Sequence, residues 1–301
     1  MNKGIVYGLT AYGLWGLLPI YWKYLQQIPA TEILAHRMVW SLVFVVILLA
    51  YQGKWSWLKP ALQNKRVVLT YFVAGAFLAL NWGVYIWAVN AGFIIETSLG
   101  YFINPLVNVL FGFLFLGERL RPWQIAAVGV AAAGVLYLTY SYGTLPWIAL
   151  TLAFSFGIYG LLKKKATLNS LEGFSLETAL LFLPALGYLL YRDVQGIGSF
   201  GHVDLTTTIL LALTGIATAV PLILFAAAAK RTTLTALGIM QYIAPTMQFL
   251  LGIYLYREPF SQDRLIGFVL IWVALVIYTA ESLILNRRKA RRLRQAQNPL
   301  I

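Results

Sequence analysis

Residues 101–112 read YFINPLVNVLFG, and residues 241–252 read QYIAPTMQFLLG. At an offset of 140 they place Tyr101 on Gln241, Ile103 on Ile243, Pro105 on Pro245, Asn108 on Gln248 and Gly112 on Gly252, and Glu118 then falls on Glu258. The spacings of 4, 3 and 4 put Tyr101, Pro105, Asn108 and Gly112 on one helical face, which the second stretch repeats. Upstream the match loosens but continues. Trp15-Gly16-Leu17 aligns with Tyr159-Gly160-Leu161, and Glu32 with Glu177, at offsets of 144 and 145. A duplicated unit is the simplest cause.

The flanking composition tells which solvent the unit meets. Of 301 residues 60% are hydrophobic and 11% charged, far from the roughly 45–50% apolar and 25% charged make-up of soluble domains. Ten apolar segments reach the length that crosses a bilayer as a helix, approximately 4–24, 31–51, 67–90, 94–117, 122–140, 145–163, 171–191, 206–229, 232–256 and 263–285. The expected fold is an all-α polytopic membrane protein. Ten transmembrane helices form two five-helix repeats over 4–140 and 145–285, followed by a basic cytoplasmic tail over 286–301. The first segment is too long for the roughly 7–15-residue core of a secretion signal, so it reads as a span.

With the N-terminus placed inside, 18 of the 23 Lys and Arg fall on the inner side, four on the outer side, and Arg37 lies within a span. Both termini are therefore expected inside. The formal charge of +13 becomes an orientation signal and an attraction to anionic lipid heads, with no need of nucleic acid. For the run Arg287 to Arg294 a regulatory or nucleic-acid tail is the rival of a stop-transfer anchor. Five spans per unit is an odd number, so the second copy enters from the opposite side. Inverted repeats are a recurrent plan of secondary transporters, with the site near the midplane where discontinuous helices of the two halves meet.

The absence of cysteine excludes disulfides, thiolate metal sites and thiol nucleophiles. His36 and His202 alone cannot assemble the usual zinc or histidine-base sets. No paired carboxylate, Ser/His set or metal cluster occurs at catalytic spacing, so no enzyme, catalytic residue, cofactor or metal is expected.

Pro105 and Pro245 each remove a backbone donor near mid-span and are candidate hinges. With Tyr101, Asn108, Gln241 and Gln248 they outline a polar cavity on the pseudo-symmetry axis, against the plainer reading of kinked packing helices. Asn81, at mid-depth, must hydrogen-bond a neighbouring helix or a ligand. Tyr85 lies one turn on, with Trp82 beside the pair, and Thr214, Thr218 and Pro221 share a face of the eighth span. Tyr12, Trp15 and Tyr159 are aromatic walls for a solute or for packing.

Charged residues in spans are functional candidates by default. Glu32, His36 and Arg37 open the second span as gating or coupling candidates; Arg37 lies about 9 Å below the segment start, within snorkelling reach, and has a structural or gating role or, alternatively, direct substrate contact as its expected use. Glu177 is a candidate proton carrier or a helix–helix hydrogen bond. Glu118 and Glu258 are expected to cap or ion-pair at the turns into the fifth and tenth spans. The Ala and Gly residues between 126 and 134 favour close helix contact, within the chain or in a homodimer.

These features together resemble the drug/metabolite transporter superfamily, with two EamA-type repeats covering nearly the whole chain. The resemblance rests on the ten spans in two inverted fives, on Asn104-Pro105 and Ala244-Pro245, and on the glutamate turns at Glu118 and Glu258. More narrowly, Gly13-Leu14-Trp15-Gly16, Pro19-Ile20-Tyr21-Trp22-Lys23 and Glu32-Ile33-Leu34-Ala35-His36-Arg37 are similar to the RarD branch, often labelled chloramphenicol-sensitivity protein. The resemblance implies a bacterial inner-membrane permease, most often an exporter of amino acids, metabolites or drug-like amphiphiles, with a central cavity between the halves that adds Asn104 to the candidate site. Its partners are then a small-molecule substrate and membrane lipid. A passive channel-like facilitator for a small polar solute is the alternative. Ala244 stands where the first half has Asn104, so the cavity is expected to be more polar on one wall.

Overall fold

The computed structural model describes residues 3–53, 55–117, 119–165, 167–229, 231 and 240–297, and these form helices and short connections. In chain order they are α1 (Lys3–Tyr24), α2 (Ala30–Gln52), α3 (Leu58–Gln63), α4 (Lys65–Asn90), α5 (Ile94–Leu116), α6 (Pro122–Tyr142), α7 (Trp147–Lys165), α8 (Ser170–Val194), α9 (Leu205–Ala229), α10 (Ile243–Leu250), a π-helical turn (Leu251–Leu255) and α11 (Gln262–Gln297). Local chemistry sets several ends. Asn64 Oδ1 accepts the amides of Arg66 and Val67 to start α4, and Asn169 and Glu172 form a reciprocal capping box at α8. Gly117 ends α5 in the left-handed region at φ 66°.

Seven helices, α2, α4, α5, α6, α8, α9 and α11, are long and apolar enough to cross a membrane. The chain is a multi-pass, all-helical membrane protein. Eleven helices and the π turn occur among the described residues, one helix more than the ten expected to span. The extra one is the six-residue α3, which lies in a connection and packs Ala61 against Tyr71 and Leu176. The expected ninth span is broken. Residues 232–239 lie outside the described part, Gln241 and Tyr242 form a turn, and α10 is followed by the π turn. Pro245 therefore sits in the first turn of α10, where its missing N–H has no helical partner to lose, whereas Pro105 is well inside α5. The first-half proline interrupts a continuous helix; its counterpart follows a break. At the chain's end α11 runs on to Gln297, through the stretch expected as a separate tail.

Of these seven helices α5 is the most deeply buried: 65% of its apolar stretch lies inside, against 22–44% for the other six. The heaviest helix pairings cross between the sequence halves. α5 packs on α7 and α10, α1 on α9 and α10, α2 on α8 and α9, α4 on α7 and α8, and α6 on α11. Small residues permit this closeness. A Cβ at Gly215 of α9 would meet the Trp40 carbonyl of α2, and one at Gly100 of α5 would lie 2.7 Å from the Ala149 carbonyl oxygen of α7. Gly134 of α6 faces Leu270 and Gly267 of α11 in the same way, while Gly129 faces open space.

Candidate functional site

Two carboxamides knit the centre. Asn104 Nδ2 donates to the Ala153 carbonyl at 3.0 Å, and its Oδ1 accepts from Asn108 Nδ2 at 3.1 Å and Gln241 Nε2 at 3.5 Å. Asn104, known beforehand only from the family resemblance, thus ties α5 to α7 and to the break before α10. One turn earlier, Tyr101 donates to Asn81 Oδ1 at 3.3 Å, and Asn81 Nδ2 donates to the Leu152 carbonyl (2.9 Å) and Ser155 Oγ (3.0 Å). Asn81 and Asn104 are fully buried, and Asn108 is exposed. The Asn81 bonds answer the sequence-level choice in part: a neighbouring helix supplies partners.

Arg37 lies beside this centre, 3% exposed. Its Nε donates to Thr218 Oγ1 at 2.6 Å, and the guanidinium lies 3.7 Å from the Trp82 ring centroid and 5.2 Å from that of Trp22. Tyr85 is edge-on to Tyr101 at 5.7 Å, and its hydroxyl has no hydrogen-bond partner among the described residues. Tyr21, on the same helix as Trp22, donates to the Leu210 carbonyl of α9.

The remaining candidates divide between two peripheries. Tyr12 and Trp15 form a ring cluster with Phe225 at 5.4–6.0 Å, and Gln248 Nε2 joins α10 to the Trp15 carbonyl at 3.2 Å. Tyr159 donates to Glu177 at 3.3 Å, and Lys163 binds the same carboxylate at 2.8 Å, so Glu177 is held in an ion pair. Glu32 accepts from the Ser199 amide (2.7 Å) and hydroxyl (3.0 Å) and pairs with Arg192 at 3.0 Å. His36, one turn from Glu32, instead stacks on Phe200 at 5.1 Å, with neither ring nitrogen bonded among the described residues.

Glu258 does something other than expected. Its two oxygens accept the amides of Ile94 (2.7 Å) and Ile95 (2.9 Å), so a second-half carboxylate caps the start of α5 in the first half, not the turn into its own last helix. The reason is the helix N-terminus, whose free N–H groups and dipole attract an anion. Burial raises the Glu258 pKa above the usual carboxylate range, against the lowering pull of those two amides. Glu118 lies outside the described residues. On the same face Lys23 reaches the Asn90 carbonyl at 3.3 Å and the Tyr256 ring at 5.4 Å, and Gln27 reaches Thr207 at 3.4 Å. There Asp204 accepts the Thr207 hydroxyl and amide, which hold its carboxyl below the ordinary value. A cleft of about 260 Å³ opens at this face as well, lined by Trp87, Phe93 and Trp147 with Glu96 and Arg264.

Sequence reading missed four partners: Arg192 and Lys163, counted only as orientation charges, Ser199, and Trp22 as a wall for Arg37. No periodicity marks them, because each meets its partner across the halves or across a loop. Among the described residues no group of three His, Asp or Glu could hold a metal ion.

The EamA-like transporter family model matches residues 2–140 and again 145–280. The chain is 48% identical to "Protein RarD" of Streptomyces exfoliatus over 98% of its length and 94% of that protein. It is also 48% identical to "Uncharacterized transporter YojE" of Bacillus subtilis (strain 168), over 92% of this chain and 94% of that one. A solved crystal structure at 20% identity shares the fold, with a TM-score of 0.59 over 93% of this chain and 96% of that chain. Two copies of one family unit, RarD-named relatives of nearly full length and a bundle of membrane-length helices place this chain in the EamA-like transporter family, as a RarD-type membrane transporter.

Proposed function

We propose that the protein is a secondary transporter of the bacterial inner membrane, both termini cytoplasmic, that exports a small metabolite or drug-like amphiphile by alternating access. Its ten spans form two inverted repeats, and the solute binds between them at mid-membrane. The observation that carries this reading is the meeting of α5 with the broken α10 at the Asn104–Gln241 contact. Broken or kinked helices of the two halves converge on one polar point, the arrangement expected of a midplane site. The cross-half pairing of helices supports a rocking motion, since a relative tilt of the halves loosens one face while tightening the other. The face fastened by Glu258, Glu32 and Lys23 is the closed, outer one in this state.

The test is flux through proteoliposomes containing the purified protein, with a solute panel run with and without a pH gradient. The expected result is saturable uptake with counterflow, weakened by Asn104→Ala and by Pro105→Ala. Flux linear in concentration and free of counterflow is the mark of a passive facilitator, and sinks the alternating-access reading.

A further inference from the structure

Arg37 is a buried guanidinium with no counter-charge among the described residues. It is 3% exposed and bonds Thr218 through Nε, and its Nη1 has no hydrogen-bond partner among those residues. Among the described residues no carboxylate pairs with it. Glu32, five residues earlier on α2, is held by Arg192 and Ser199. The phenols of Tyr101, Tyr85 and Tyr21 lie within electrostatic range, and the Tyr85 hydroxyl is itself buried, with no hydrogen-bond partner among the described residues. Two indole rings flank the cation, Trp82 at 3.7 Å and Trp22 at 5.2 Å.

The fold does not demand this charge. Glu32 corresponds to Glu177 at an offset of 145, and the same offset takes Arg37 to Phe182 of α8. The second half thus builds its equivalent helix with an apolar ring at that position. A buried charge without an ionic partner is costly, and intramembrane charges that persist mark substrate or ion paths. The guanidinium offers five N–H donors in a planar fork, whose natural complement is a carboxylate bound through two parallel hydrogen bonds.

We infer that the transported solute is an aromatic or apolar carboxylate, received by Arg37 and the Tyr85 hydroxyl with its flat body against Trp82 and Trp22. This rests on the transporter reading above and names its substrate class. The carboxylate takes the unbonded Nη1 and Tyr85 hydroxyl, and the indole faces that shield the cation in this state slide onto the solute ring. The buried charge then becomes a selectivity device, because a neutral analogue leaves it uncompensated.

Purified protein in detergent is titrated with phenylacetate, cinnamate and indole-3-acetate, and with the primary amide of each, following tryptophan fluorescence and thermal unfolding. At least one acid should bind about thirtyfold tighter than its amide, as expected for a buried charge pair. Arg37→Lys should keep the preference at lower affinity, and Arg37→Gln should bring the acid down to its amide. Equal binding of every acid and amide pair overturns the inference, as does a preference that survives Arg37→Gln. Should the Gln variant fail to fold, the wild-type pairs and Arg37→Lys decide. Inorganic phosphate or chloride reproducing the full effect overturns the assignment to an organic acid. The underlying reading fails separately: saturable counterflow of a neutral solute, with no acid preference, removes only the anion assignment, whereas absence of counterflow for every solute removes transport itself.

Discussion

Replacing Glu258 with alanine removes both oxygens that receive the Ile94 and Ile95 amides. Loss of an N-terminal helix cap costs about 0.5–2 kcal/mol, and loss of the charge at the positive end of the α5 dipole adds about 0.3–1 kcal/mol. Burial takes part of this back, since it raises the Glu258 pKa and so disfavours the ionised form. A net of about 1–2 kcal/mol remains, roughly a five- to thirtyfold shift of this face from closed towards open. The assay follows from the composition. The chain has no cysteine, so Thr97→Cys, at a position in the first turn of α5 that is fully buried, provides a single thiol. Its alkylation by a maleimide in detergent measures how often the face opens. Glu258→Ala should speed alkylation by roughly five- to thirtyfold, and Glu258→Gln, which keeps one acceptor, should fall between. A rate unchanged by Glu258→Ala refutes the idea that this carboxylate fastens the two halves.

Other consequences follow from the packing. Gly215→Ala drives a methyl into the Trp40 carbonyl and should destabilise the α2–α9 contact by about 1–3 kcal/mol, seen as a lower melting temperature in detergent; an unaltered melt shows that the helices can separate freely. Asn81→Leu strands the Tyr101 hydroxyl and removes the donor that ties α4 to Leu152 and Ser155 of α7, and should cost about 1–3 kcal/mol by the same measurement, with no loss meaning that the amide's bonds are replaceable. Lys163→Met alone leaves Glu177, 1% exposed, without its ionic partner and should cost about 3–5 kcal/mol. Adding Glu177→Gln to it should recover most of that. A double variant no more stable than the single one denies the pair its coupling.

Much of the architecture was legible because the repeat carries its own internal control. Pro105 and Pro245, Gly112 and Gly252, and Asn108 and Gln248 recur at one offset, and apolar runs between charged connections mark the spans. What could not be read was where the second copy departs from the first. Pro245 and Pro105 look alike in sequence, yet one follows a turn at Gln241 and Tyr242 and the other sits inside a continuous helix. Long-range partners were equally hidden. Glu258 was expected to serve the turn in which it stands, but the open amides of α5, 163 and 164 residues earlier, bind it instead. His36 and Glu32 share a helical face, yet a loop gives Ser199 to Glu32 and Phe200 to His36. Local spacing places residues on a face; it does not say which element will cover that face.

The crossing of helix pairs between halves also bears on how the chain is made. Asn81 bonds Leu152 and Ser155, Asn104 bonds Ala153, Glu32 bonds Ser199, and Arg37 bonds Thr218, each partner lying in sequence not yet synthesised when the first five long helices have left the ribosome. During biogenesis the nascent first half must wait with these polar groups provisional, lodged in the insertion machinery or against one another. Only when α7 to α9 arrive from the ribosome do the permanent partners exist, so helices of the second half complete the folding of the first.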